Sequence, residues 1–111
     1  MCGRYVITKP VTKTRDLVKS VNVVNDVANY NAHPTQKLPV IKSYTNGKIL
    51  ELLQWGLTSS WTQEREIRPL INARLETLGE KMTFKNLIKN YRCLVIADGY
   101  YEWKRKENVK T

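Results

Sequence analysis

Residues 37–57 read "KLPVIKSYTNGKILELLQWGL". Two apolar-rich runs, "KLPVIKSY" and "ILELLQWGL", flank "TNGK", and Asn46-Gly47 is a pair that tolerates the positive φ angles of a type I′ turn. The stretch therefore predicts a β-hairpin and makes the middle of the chain β. Upstream, "GRYVIT" at 3–8 has the composition of a short strand bounded by Pro10. "TKTRDLVKSV" at 12–21 offers Thr12 or Thr14 as an N-cap, with Leu17, Val18 and Val21 on one side, and predicts a short amphipathic helix. The Asn-rich "VNDVANYNAHPTQ" at 24–36 reads as an irregular loop.

Downstream, "TSSWTQEREIRP" at 58–69 looks like a polar connection with one helical turn, and "LINARLET" at 70–77 has no clear periodicity. In "TFKNLIKNYR" at 83–92, Phe84, Leu87, Ile88 and Tyr91 recur at helical spacing. "CLVIADGYYEWKRK" at 93–106 has the continuous apolar run of a buried strand, a turn at Asp98-Gly99 and a second strand rich in aromatics. The expectation is an α+β fold, strand-dominated, with a mixed sheet or partial barrel and a few short helices. The strand over 99–105 has nothing after it to pair with on its far side, a liability unless another segment or subunit covers the edge.

A chain of 111 residues is the size of one domain with a modest core. Two cysteines, Cys2 and Cys93, without a CxxC, are too few for a disulfide framework or a zinc site. No metal or organic cofactor is suggested. The absence of an early apolar h-region and of a run near 18 apolar residues leads to the expectation of a cytoplasmic protein with no membrane partner. The charge is more informative. Nineteen Lys and Arg oppose ten Asp and Glu, a net +9, with both ends basic and residues 41–80 balanced. Such a surplus on a small chain favours a polyanion, nucleic acid first.

The polar residues that could carry chemistry each have an ordinary structural reading beside the chemical one. Cys2, in "MCGRY", fits the lead into a strand, but it is also small enough for Met1 to be trimmed, which would expose a thiol and an α-amine on one residue. Glu102 fits an outward carboxylate between Tyr101 and Trp103, and His33 a solvent residue beside Pro34. Asn72 and Arg74 alternate with Ala73 and can share one side of an extended segment. Cys93 fits a packed strand residue.

Together, "MCGRY" at 1–5, "YNAHPTQ" at 30–36, "QWGLTSSW" at 54–61, "INARLET" at 71–77 and "RCLVIADGYYEW" at 92–103 resemble, in order and spacing, the SRAP family of SOS-response-associated peptidase-like proteins. The resemblance implies recognition of abasic sites in single-stranded DNA and covalent attachment through the N-terminal cysteine, here Cys2 after loss of Met1. The chemistry suits such a residue: an α-amine of pKa about 7.7–8.0 is partly neutral at physiological pH and condenses with the ring-opened aldehyde, and the adjacent thiol closes a thiazolidine. By the same resemblance Asn72 holds the N-terminus and the opened sugar, and Glu102 is the acid/base. Arg4 and Arg74 bind phosphates, Pro34 and Trp103 are wedges for flanking bases, Trp61 is a further cleft wall, and Asn31 shapes it.

Three departures are local: Ser59, Ile96 and His33 stand where the family commonly has proline, proline and a small apolar residue. A fourth is large. The sequence runs through only the first half of such a domain, so residues 1–111 are expected to be its N-terminal portion, lacking the late histidine motif that assists ring opening and crosslink reversal. Self-association through the uncovered strand edge is a further expectation, as is association with the nucleoid when bound to DNA. Two other functions fit the same residues: an N-terminal-nucleophile thiol peptidase acting through Cys2, and a non-catalytic basic remnant that binds single-stranded DNA.

Overall fold

The computed structural model describes residues 2–58 and 68–104 in full and the backbone of 105–106 and 109–110. The fold is α+β and strand-dominated, with two main sheets, a further two-stranded pair and a few short helices among the described residues. Strands β4 (Lys37–Tyr44) and β5 (Gly47–Gln54) form the predicted hairpin, paired without interruption from Lys37↔Gln54 to Tyr44↔Gly47. The positive φ, 123°, falls on Gly47 alone and not on Asn46, so the connection is Thr45-Asn46 and not the expected type I′ pair. Strand β2 (Ser20–Asn22) adds parallel to β5, and β6 (Leu94–Val95) antiparallel to β4, giving the mixed order β2-β5-β4-β6. Pro39, which has no N–H to donate, lies where β6 does not reach and β4 has a partner on one side only.

The second sheet has the order β3-β1-β7, all antiparallel: β3 (Asn29–Ala32), β1 (Tyr5–Ile7) and β7 (Gly99–Tyr100). Tyr5, Ile7, Ala32 and Leu38 form the core cluster between the sheets, with Trp55 and Ile96 packed against it. The Tyr5 and Trp55 rings lie 5.7 Å apart at a tilt of 44°. Burying these side chains removes apolar area from water and supplies the main force holding sheet to sheet.

Several sequence expectations need correcting. Residues 29–32 form a strand, not loop: pairing with β1 overrides the weak strand propensity of Asn. The asparagines bond locally, with Asn31 N–H donating to Asn29 Oδ1 at 3.0 Å and Asn29 Nδ2 to Gln36 Oε1 at 3.2 Å. The first helix, α1, covers Pro10–Thr14 and neither threonine caps it. Pro10 starts it, and its free N–H groups on Val11 and Thr12 are taken by Asp26 Oδ1 at 2.7 and 3.0 Å, a cap borrowed from a later segment. Thr14 is buried and bonds back to Pro10 O at 2.7 Å. Leu17 is exposed and Val21 belongs to β2, which leaves the expected amphipathic face without a helix to carry it.

Helix α2 is confined to Met82–Lys85, and the chain continues as turns through residue 90. Leu94 and Val95 are 63% and 57% exposed, and Cys93 is exposed also, so the apolar run after residue 92 is not the buried strand that its composition predicts. Nor do its two strands pair with each other: β6 joins one sheet and β7 the other. At the end, β8 (Arg105–Lys106) pairs with β9 (Val109–Lys110).

Candidate active site

The site starts where β5 ends. Trp55 and Leu57 carry the hairpin strand onward; Leu57 and Leu70 exchange both backbone hydrogen bonds, at 2.8 and 3.1 Å, and Trp55 Nε1 donates to Ile71 O at 2.8 Å. Gly56 makes this approach feasible: its φ is 127°, and a Cβ there would lie 2.9 Å from Pro69 Cβ. The segment so held delivers Asn72, whose Nδ2 donates to Cys2 O at 2.9 Å. Residues seventy apart in sequence thereby meet, and the residue ahead of β1 is held in place. The Cys2 thiol donates to Arg4 O at 3.4 Å.

Beside Cys2 opens a cavity of about 460 Å³, lined by Tyr5, Leu38, Val40, Trp55, Asn72 and Cys93 among others. The Tyr5 hydroxyl is buried and makes no hydrogen bond among the described residues. Its pKa is pushed up to about 12, first by burial and then by the charges that the Cys2 and Cys93 thiolates would carry. Burial also raises the Cys93 thiol above its usual value, with Lys42 pulling the other way.

On one edge, β1 pairs with β7. Its register, Tyr5↔Tyr100 and Val6↔Gly99, is extended by Tyr101 N–H donating to Arg4 O at 3.0 Å. Continued one residue further, it sets Glu102 opposite Gly3. Asp98 anchors the start of β7: it accepts from Thr8 N–H at 2.6 Å and Thr8 Oγ1 at 2.9 Å, and it pairs with Lys13. Glu102 and Trp103 are both exposed.

Of the residues singled out in the sequence, Cys2 and Asn72 are in direct contact. Arg4, Asn31, Glu102 and Trp103 lie in or next to the strands of the β3-β1-β7 sheet, whose central strand follows Cys2. The Arg4 guanidinium is exposed and donates to Gly3 O at 2.9 Å. Arg74 lies two residues beyond Asn72, exposed, 4.0 Å from Glu76. Pro34 sits in a turn tied to the same tryptophan, through Thr35 N–H donating to Trp55 O at 2.8 Å. His33 is held in that turn, its Nδ1 2.8 Å from Pro34 O. Trp61 lies outside the described residues. Sequence reading missed Trp55 and Tyr5; the signal for Tyr5 was its alternation with Arg4 in a predicted strand. Among the described residues no group of three or more His, Cys, Asp or Glu could hold a metal, and no helix is long and apolar enough to cross a membrane.

The whole chain, residues 1–111, matches the family described as SOS response associated peptidase (SRAP). The chain belongs to the SRAP family. SRAP relatives with curated names include "Abasic site processing protein YoqW" of Bacillus subtilis (strain 168), 33% identical over 112 residues that cover 95% of this chain and 49% of that protein. "Abasic site processing protein YoaM" of the same organism is 37% identical over 97% of this chain and 49% of its own length. "Abasic site processing protein HMCES" of Mus musculus is 37% identical over 69% of this chain and 26% of its own. The chain thus spans about half the length of the bacterial SRAP proteins it matches.

Proposed function

We propose that the chain captures abasic sites in single-stranded DNA as a covalent adduct on Cys2, once Met1 is removed. The observation that carries this reading is the bond from Asn72 to Cys2 O, which fixes the nucleophilic residue, itself partly exposed, beside a cavity that it helps to line. The α-amine of Cys2 attacks C1′ of the ring-opened sugar, and the aldehyde oxygen leaves as water to give an imine. The thiol sulfur then adds to the imine carbon while its proton passes to nitrogen, so the net reaction forms one C–N and one C–S bond and releases one water. Glu102, across from Gly3 in the continued register, is suited to move the protons.

Arg4 and Arg74 supply exposed positive charge for the flanking phosphates. The names of the relatives support the abasic site as the lesion. The exposed Leu94, Val95 and Tyr100 on the edge strands β6 and β7 support self-association through those edges. A cytoplasmic location is proposed with the same function. The test is a denaturing gel of the chain mixed with a single-stranded oligonucleotide carrying one abasic site. A slow band that is absent with an intact strand and with Cys2→Ala is expected. A band that survives Cys2→Ala would overturn the assignment.

A further inference from the structure

None of the roles above uses Tyr101. Its N–H donates to Arg4 O, so it stands opposite Arg4 and shares that residue's side of the sheet. Its hydroxyl donates to Tyr30 O at 3.0 Å. Because β1 lies between β7 and β3, that bond carries the phenol ring over β1, and it ends in β3, whose register with β1 shifts between Tyr5 and Ile7. The ring is tethered at both ends yet 54% exposed. A side chain already fixed loses little rotamer freedom when a ligand covers it.

The surroundings indicate which ligand. Arg4 is exposed on the same side as Tyr101, and so is Asn31, since its neighbour Ala32 pairs with Tyr5 and side chains alternate along each strand. Trp103, two residues further, is exposed as well. A fixed aromatic face next to the cationic Arg4, on a chain of net charge +9, fits an anionic strand with unpaired bases. We propose that Tyr101 is a base-binding residue that stacks on a nucleotide adjacent to the abasic residue held at Cys2. This rests on the capture reading above and adds to it a contact to a base that flanks the lesion.

The experiment uses the full chain carrying Cys2→Ala, so that binding is reversible, and single-stranded oligonucleotides with one abasic residue and 2-aminopurine immediately 5′ or 3′ of it. Binding should quench 2-aminopurine at one of the two positions. Adding Tyr101→Ala should remove the quenching and weaken binding about tenfold. Tyr101→Leu, which keeps bulk without a π-face, should do the same, while Tyr101→Phe should keep the quenching. Unchanged quenching and affinity in the Leu and Ala variants would overturn the role of Tyr101 and leave the capture reading intact. A chain with both Cys2 and Tyr101 intact that forms no adduct with the abasic strand would overturn both.

Discussion

The segment from Cys93 to Trp103 is richer in apolar residues than the β4–β5 hairpin, yet it is the more exposed of the two. Leu38, Val40, Ile41 and Leu50 are all at most 5% exposed, whereas Leu94, Val95, Tyr100 and Trp103 are all at least 57% exposed. The hairpin pairs with itself over eight residues a side and receives β2 and β6 on its flanks, so the apolar side chains of its middle find cover within the chain while Tyr44 and Leu53 toward its ends stay exposed. The later segment gives two residues to each of two sheets and crosses between them, which leaves its apolar side chains at the edges. An apolar run therefore states that a surface favours cover and does not state where the cover comes from. The proposed chemistry gathers at the open region, where a large ligand can reach it.

The sharpest way to break this contrast is truncation on each side. Leu50→Ala, in the closed region, should cost about 2–5 kcal/mol of unfolding free energy in urea titration, because it leaves a cavity among buried side chains. Val95→Ala, in the open region, should stay within about 0.5 kcal/mol. Equal losses would mean that the two regions are equally packed.

A second expectation concerns Tyr5, which lies where the closed core meets the open cavity. Below pH 10 its phenol is neutral whether folded or not. Between its ordinary value of 10.0 and about 12 only the unfolded chain ionises, so stability falls as pH rises through that window and then levels off. The loss is about 2–3 kcal/mol at most. Tyr5→Phe should flatten that step and, by removing a buried hydroxyl without a partner, raise stability near neutral pH by about 1 kcal/mol. A Phe variant with an unchanged alkaline limb would contradict the burial of this hydroxyl.

Smallest in free energy is the effect of a charge at the open edge. Val95→Lys should leave the unfolding midpoint nearly unchanged and shift sedimentation toward monomer at concentrations where the unsubstituted chain associates. No shift would remove β6 from the proposed contact.

How far the sequence could be read follows the same division. The hairpin was legible because two apolar runs around Asn-Gly are a local signal, and β1 was legible from the composition of 3–8 and the proline after it. Strand β3 was hidden because its pairing with β1 is non-local and its asparagines suggest a loop. Helix α1 was misplaced because its cap, Asp26, lies outside the window that capping patterns cover. For the site, Cys2, Asn72 and Glu102 were singled out through the SRAP resemblance, but the contact between Asn72 and Cys2 depends on Gly56, Trp55 and the Leu57–Leu70 pairing, which no spacing of the motifs reveals. Tyr101 went unassigned because its role rests on a bond across a whole strand.

The most direct measurement is the intact mass of the chain before and after incubation with a single-stranded oligonucleotide bearing one abasic site. A protein without Met1 that gains the oligonucleotide mass less one water and keeps it in strong denaturant is expected. A Met1-free protein that gains no mass would contradict the claim that these 111 residues hold a working capture site.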